Sequence, residues 1–410
     1  INHAKSLGYD FQAQKARFEF KSLYTRPEPI KAMVNIRELC NEMMTTKGNL
    51  FNTSLSKAQR LEEFEQTQNQ QQTLIKLFLQ DTWINQLKNQ VRQGFQYIVQ
   101  SWFNINESSW AIYNQSKLSS FMNVSKFIMQ DSLRTLVEKS LNDFVELVEN
   151  MCNVCQMKDD SVWPSKSLKY EGFFPTRRKT SLFVVNLKLE DFKANFSTNL
   201  DSFEEKLVTL FDNAIAATST VPQLEKFVME KLFWEGQNPL LESVGLKEPW
   251  VCEKREKLQN AIRMAIRPME LYSEQFEQFN EVMSVDIDQF LSDLDEKNPT
   301  ALEVKEQVDQ FIAQKEKLEN EIPTNITIGP FQVLTDTIRN GLSKKCKTMS
   351  DATLDYLAKK LRKQADDGGE TCKSISRRLF EKPPTIEILD EMRIWMETIP
   401  ETLIEEKQKI

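Results

Sequence analysis

The stretch SKLSSFMNVSKFIMQDSLRTLVEKSLNDFVELVENMCNVC, Ser116–Cys155, decides the fold class. Its apolar residues Leu118, Phe121, Met122, Phe127, Met129, Leu133, Leu136 and Val137, then Leu141, Phe144, Val145 and Val148, recur at spacings of three and four. That rhythm lines one face of a helix, whereas a half-buried strand would alternate. Neither Gly nor Pro interrupts it. The stripe runs far beyond an average helix of about 11–12 residues. So long a stripe is buried only against other long helices, which makes the flanking segments helical candidates too.

Upstream, residues 30–44 and 56–99 repeat the pattern, with Leu74, Leu77, Phe78, Trp83, Ile84, Leu87 and Val91 as the clearest stripe. The Gln-rich run Glu65–Gln72 reads as a solvated helix face, because Gln is a good helix former. Trp102–Trp110 breaks the rhythm, with Asn106 or Ser108 available as a cap. Downstream, Lys158–Thr180 turns to Ser, Pro, Lys and Arg and marks a boundary. Leu182–Glu190 alternates and carries β-branched residues, so it reads as a short strand, half of a hairpin closed by Phe192–Phe196.

Helical spacing resumes near Leu200, and Val221-Pro222 is expected to open a helix running through Trp234. Residues 251–298 are helical, with Pro268 expected to kink or start a helix. Asn298-Pro299 precedes a charged helix, Ala301–Glu321, and Ile322–Val333 forms an irregular or β-like connector. Two further helices are expected at 335–364 and 371–380, separated by a turn at Asp366-Asp-Gly-Gly369. Lys382-Pro-Pro-Thr385 ends that element, and Thr385 caps a last helix from Ile386. The fold expected is mainly α, an elongated series of helical bundles with one or two short β-hairpin or strand insertions. Its regions are 1–157, a linker at 158–180, 181–300 with the strand near 182–190, and 301–410.

Composition agrees with this reading and removes several function classes. The 410 residues are 40% hydrophobic and 28% charged, with 26 Phe but only 10 Gly and 14 Pro, which suits helical cores and not a loop-rich fold. No run approaches the roughly 18 apolar residues of a membrane span, and Ile1–Asp10 lacks a signal-peptide pattern, so a soluble intracellular segment is expected. The 53 basic and 60 acidic residues are interspersed at a net charge of −7, which disfavours nucleic acid as a partner. Six scattered cysteines fit a reducing compartment.

One histidine, His3, leaves little room for His-based catalysis or metal binding. Neither the P-loop nor the G-x-G-x-x-G pattern is present, so no phosphate-cradling loop, cofactor site or catalytic constellation is expected in this segment. Cys152-x-x-Cys155 lacks a second pair and reads as structural thiols. The carboxylate pairs Asp286/Asp288 and Asp293/Asp295 read as solvated helix positions. The aromatic series Trp83, Phe95, Tyr97, Trp102, Phe103 and Trp110 reads as core. A basic patch at Lys359, Lys360, Arg362 and Lys363, with Lys344, Lys345 and Lys347 before it, is the one candidate partner-binding surface; a solvated face is the plainer explanation.

Several phrases in collinear order resemble the tail of axonemal dynein heavy chains. They are Gly94–Ile98, Trp102–Trp110, Ser116–Leu118 with Met129–Leu133, Leu182–Leu189, Val221–Lys226, Leu241–Leu246 and Ile326–Phe331. Pro384–Leu389, Glu391–Met396 and Ile399-Pro400 resemble the stretch just before that family's linker domain. The resemblance covers about residues 70–410, and the wording of Lys359–Arg378 is closer to outer-arm than to single-headed inner-arm chains.

The resemblance implies a non-enzymatic tail piece of a motor. ATP and Mg would belong to motor modules elsewhere in the parent chain. The implied partners are other dynein heavy chains, intermediate chains, light chains and docking proteins on the doublet microtubule, with no nucleic acid and no membrane. The implied location is the axoneme of a cilium or flagellum after assembly in the cytoplasm, and the implied role is anchoring and force transmission. The competing reading is a helical scaffold or tethering protein with no motor attached.

Overall fold

The computed structural model describes residues 27–54, 56–95, 116–155, 168–169, 181–190, 193–225, 239–279, 282, 284–297 and 299–409. The described chain is mainly α with short strand insertions, as expected from the helical rhythm. Its helices are α1 (Pro27–Thr46), α2 (Leu61–Leu77), α3 (Ile84–Phe95), α4 (Lys117–Cys152), α5 (Asp201–Thr218), α6 (Pro249–Glu274), α7 (Ile287–Lys297), α8 (Ala301–Glu321), α9 (Asp336–Leu379) and α10 (Ile386–Lys409). The strands are β1 (Phe183–Glu190), β2 (Lys193–Phe196), β3 (Asn325–Ile328) and β4 (Phe331–Leu334).

Local chemistry sets the helix starts. Ser116 Oγ accepts from the Ser119 N–H at 3.1 Å and caps α4. Thr300 and Glu303 form a reciprocal capping box at the head of α8, with the Thr300 N–H donating to Glu303 Oε2 at 2.8 Å. Pro249 occupies the first turn of α6, where its missing N–H costs nothing. Thr385 Oγ1 accepts from the Ile388 N–H at 3.5 Å, placing α10 where its cap predicts.

The four strands form one sheet in the order β2-β1-β4-β3. Both hairpins are antiparallel, and they join through a parallel pairing of β1 with β4, Phe183 opposite Phe331 and Val185 opposite Val333. The chain between those two strands carries α5 to α8, so the sheet ties together segments remote in sequence. Gln59, just before α2, also bridges to the head of β1: its N–H donates to Leu182 O at 3.0 Å, and its carbonyl accepts from the Val184 N–H at 2.9 Å. Over this junction Phe183 meets Phe64 and Phe203 edge-on at 5.1 and 5.0 Å, and Phe203 meets Phe331 at 5.0 Å. One apolar core, from Ala32 in α1 to Cys346 in α9, runs through these elements apart from α7 and α10.

Four local expectations are corrected. Gln68 and Gln72 are buried, at 0% and 4% exposure, and do not belong to a solvated face. Each is satisfied by backbone: Gln68 accepts from the Asn52 N–H at 2.8 Å and donates to Asn52 O at 3.1 Å, while Gln72 donates to Leu210 O at 3.0 Å. Leu74 and Leu77 face outward and Leu79 is buried in their place, where α2 passes into a π-helical turn, Phe78–Trp83, whose wider winding shifts the register. Pro222 does not sit in the first turn of a helix but bridges to Leu240; Glu225 is helical, and the rest of the helix expected there lies outside the described residues. Asp366–Gly369 is no turn, because α9 runs unbroken through it and Gly368 is buried within the helix.

Candidate interaction surface

The four cations expected to meet a partner all lie on α9, and the structure splits them. Lys360 is half-buried and donates from Nζ to Pro299 O at 2.6 Å, so it helps fasten the link between α7 and α8. Tyr356, one turn earlier, donates to Leu294 O at 3.5 Å from the same side. Burial first, and then the Asp295 carboxylate, push that phenol above its ordinary pKa. Lys359, Arg362 and Lys363 are exposed and share one helix face by their spacing of three and four.

A buried arginine that sequence reading passed over anchors a polar network in the core. Arg134 stands within the apolar stripe of α4, 3% exposed. Its guanidinium grips both carboxylate oxygens of Glu248, with Nη1 to Oε1 at 3.1 Å, and also donates to Ser243 O at 3.2 Å. Glu248 accepts in addition from the Gly245 N–H at 2.7 Å and from the Trp250 indole at 2.8 Å. Burial pushes the Glu248 carboxyl up, but these hydrogen bonds and the Arg134 charge outweigh it and hold the group below its ordinary value. The signal in the sequence was an Arg interrupting an otherwise apolar face, opposite an acid immediately before a helix-opening Pro. Chemically this is a staple that fixes residues 243–250 on α4, with no reacting centre attached.

The other singled-out groups have structural surroundings. Burial pushes Cys40 and Cys155 up to about 12 and raises Cys152 well above its ordinary value, which leaves these thiols protonated and poorly nucleophilic. Cys155 packs under the β3–β4 turn at Gly329. Trp83 is fully buried in the core, while Tyr97, Trp102, Phe103 and Trp110 lie outside the described residues, as does the side chain of Phe95. Among the described residues no group of three or more His, Cys, Asp or Glu is placed to hold a metal ion, and no helix is long and apolar enough to cross a membrane.

Exposed apolar surface collects at the far end of α9 and on α10. Phe380 is 86% and Ile386 83% exposed, and beyond Thr353 Gly368 is the one buried residue among those described. α10 lies back on α9 with Arg378 stacked over Trp395 at 4.6 Å.

No protein-family model matches the chain. Curated relatives do: it is 42% identical over 403 residues to dynein axonemal heavy chain 1 of Mus musculus, and 41% identical over 403 residues to that of Homo sapiens. The Rattus norvegicus protein of the same name is 41% identical over 397 residues. These matches take in 97–98% of this chain but only 8–9% of each relative, so the chain spans less than a tenth of the proteins it matches. Identity at this level, sustained without a large gap in coverage, places the chain with a segment of the axonemal dynein heavy chains.

Proposed function

We propose that this segment belongs to the tail of a ciliary dynein heavy chain. There it anchors the arm to the doublet microtubule and to accessory chains, and it passes force from motor modules carried elsewhere in the parent polypeptide. The observation that supports this most is the continuous core from Ala32 to Cys346, sewn together by the β1–β4 pairing. Close-packed helices deform little under load, and a sheet linking distant segments makes them move together. The accessory partners are intermediate chains, light chains and neighbouring heavy chains, and the site of action is the axoneme. ATP and Mg act at the motor modules and not on this segment.

The exposed cations Lys359, Arg362 and Lys363 are one contact surface in this reading. Reversing these three charges is expected to weaken co-purification of arm subunits while leaving the fold intact, because none of the three is buried. Lys360 is left unchanged in that variant, since its bond to Pro299 O is internal. Unaltered co-purification removes the basic patch from the account.

Electron cryomicroscopy of axonemes carrying a tag beside this segment tests the main reading. The expected result is tag density on the stem that joins a motor ring to the doublet, and the same maps report which arm holds it. Density with no continuity to a motor overturns the reading in favour of a scaffold.

A further inference from the structure

A cavity of about 250 Å³ opens between α1 and the π-helical turn that leads into α3. Its walls include Met43 and the rings of Phe78 and Trp83, and its mouth carries the exposed side chains of Glu42, Thr46 and Lys47. The two rings are the first and last residues of the turn Phe78–Trp83. Residues five apart diverge by about 140° around an α-helix, whereas the i→i+5 winding of a π turn returns them toward one side. The turn therefore builds an aromatic wall as well as shifting the register of the buried stripe.

One wall residue keeps an unanswered polar group. Trp83 is fully buried, and its indole N–H has no acceptor among the described residues. A buried donor in that state is destabilising until an acceptor is supplied. The rest of the wall suits a ring, set edge-on or offset against Phe78 and Trp83 with the Met43 sulfur beside it. A cavity of about 150 Å³ already holds benzene, so the space admits a single six-membered ring and falls short of the roughly 300–1,000 Å³ that larger ligands fill. At the mouth Lys47 Nζ stands over the Phe78 ring, 5.1 Å from its centroid, and the Glu42 carboxylate offsets its charge. No net field draws an ion inward, and an ion would give up its hydration for one N–H.

We propose that this cavity is a binding site for one uncharged phenol ring, whose oxygen accepts from Trp83 Nε1. The oxygens of Glu42 and Thr46 line the same cavity and are available to accept from the hydroxyl. The ring is that of a free phenol or of a tyrosine side chain presented by a protein, and the two sources share this chemistry. The site stands on the cavity, the π turn and the unpaired indole, and it does not depend on the dynein reading, which the axoneme maps test separately.

The experiment titrates the whole chain into 4-fluorophenol and, separately, fluorobenzene, and reads the fluorine resonance of each by NMR. The phenol is expected to bind saturably in the millimolar range or tighter, and fluorobenzene, which lacks the oxygen, about two- to tenfold more weakly. Trp83→Phe removes the indole N–H and should bring the two probes to equal affinity. Because Trp83 belongs to the core, Thr46→Trp is the second variant: placed at the exposed mouth, it should block both probes while leaving the melting midpoint unchanged. N-acetyltyrosinamide then separates the sources. Its displacement of 4-fluorophenol assigns the site to a tyrosine side chain, and displacement by unlabelled phenol alone assigns it to a small molecule. Equal binding of 4-fluorophenol and fluorobenzene to the wild-type chain, binding that survives Thr46→Trp, or no binding at all overturns the proposal.

Discussion

Glu248 converts a local hydrogen-bond network into a pH dependence whose sign follows from its depressed pKa. Its carboxyl titrates below the ordinary 4.5 in the folded chain, so the stability it supplies is complete above that value and is lost as pH falls through the lower native one. Glu248→Gln should therefore flatten the part of the urea-midpoint curve that wild type loses between about pH 5 and pH 3. A variant curve parallel to wild type would mean that Arg134 does not hold Glu248 as the structure shows. Gly329 is the other position where one atom matters. Its φ is +54° in the β3–β4 turn, and an added Cβ would strike Cys155 Sγ and come within 3.1 Å of Met151 O. Gly329→Ala should cost about 3 kcal/mol, of which the left-handed backbone accounts for about 1–2. Adding Cys155→Ala should recover only the steric remainder, and chemical denaturation of the two variants separates the parts.

Helix α9 shows how far pattern reading reaches. Its start and the following cap at Thr385 were legible, because caps and prolines act within a turn of the chain. Asp366-Asp-Gly-Gly369 reads as a break because Gly is a poor helix former, yet propensity costs only about 1 kcal/mol per Gly and the helix carries through. Gly369 has open space where a Cβ would stand. Gly369→Ala should thus stabilise the chain by about 0.5–1 kcal/mol and slow amide exchange over residues 360–375. Destabilisation would restore the turn. The Gln-rich face of α2 misled for a different reason: Gln68 and Gln72 are buried by long-range partners, Asn52 and the Leu210 carbonyl, that no local periodicity encodes. The first hairpin was visible in the alternation of Leu182–Glu190, and the second only as an irregular or β-like connector at Ile322–Val333. Their union into one sheet was not, since the β1–β4 pairing is set by how α5 to α8 fold between them. Likewise the basic patch was legible as charge, but the bond that withdraws Lys360 from it belongs to tertiary structure.

At the scale of the whole molecule, the sheet and the Phe64, Phe183, Phe203 and Phe331 cluster make α1 to α6, the end of α8 and the first turns of α9 one core, while α7 and α10 stand outside it. Phe183→Ala should cost about 3–5 kcal/mol and lower the stability of helices on both sides of the sheet together. A loss confined to residues near β1 would show that the two sides are independent. α10, with no buried side chain, should exchange its amides far faster than α4 or α6. Native-state hydrogen exchange across a denaturant series reads all of this at once and tests most directly that the core is a single mechanical unit. The account predicts one shared opening free energy for α1, α4, β1, β4, α6 and the first turns of α9, reduced uniformly by Phe183→Ala. Separate opening energies for the elements before β1 and those after β3 would contradict it.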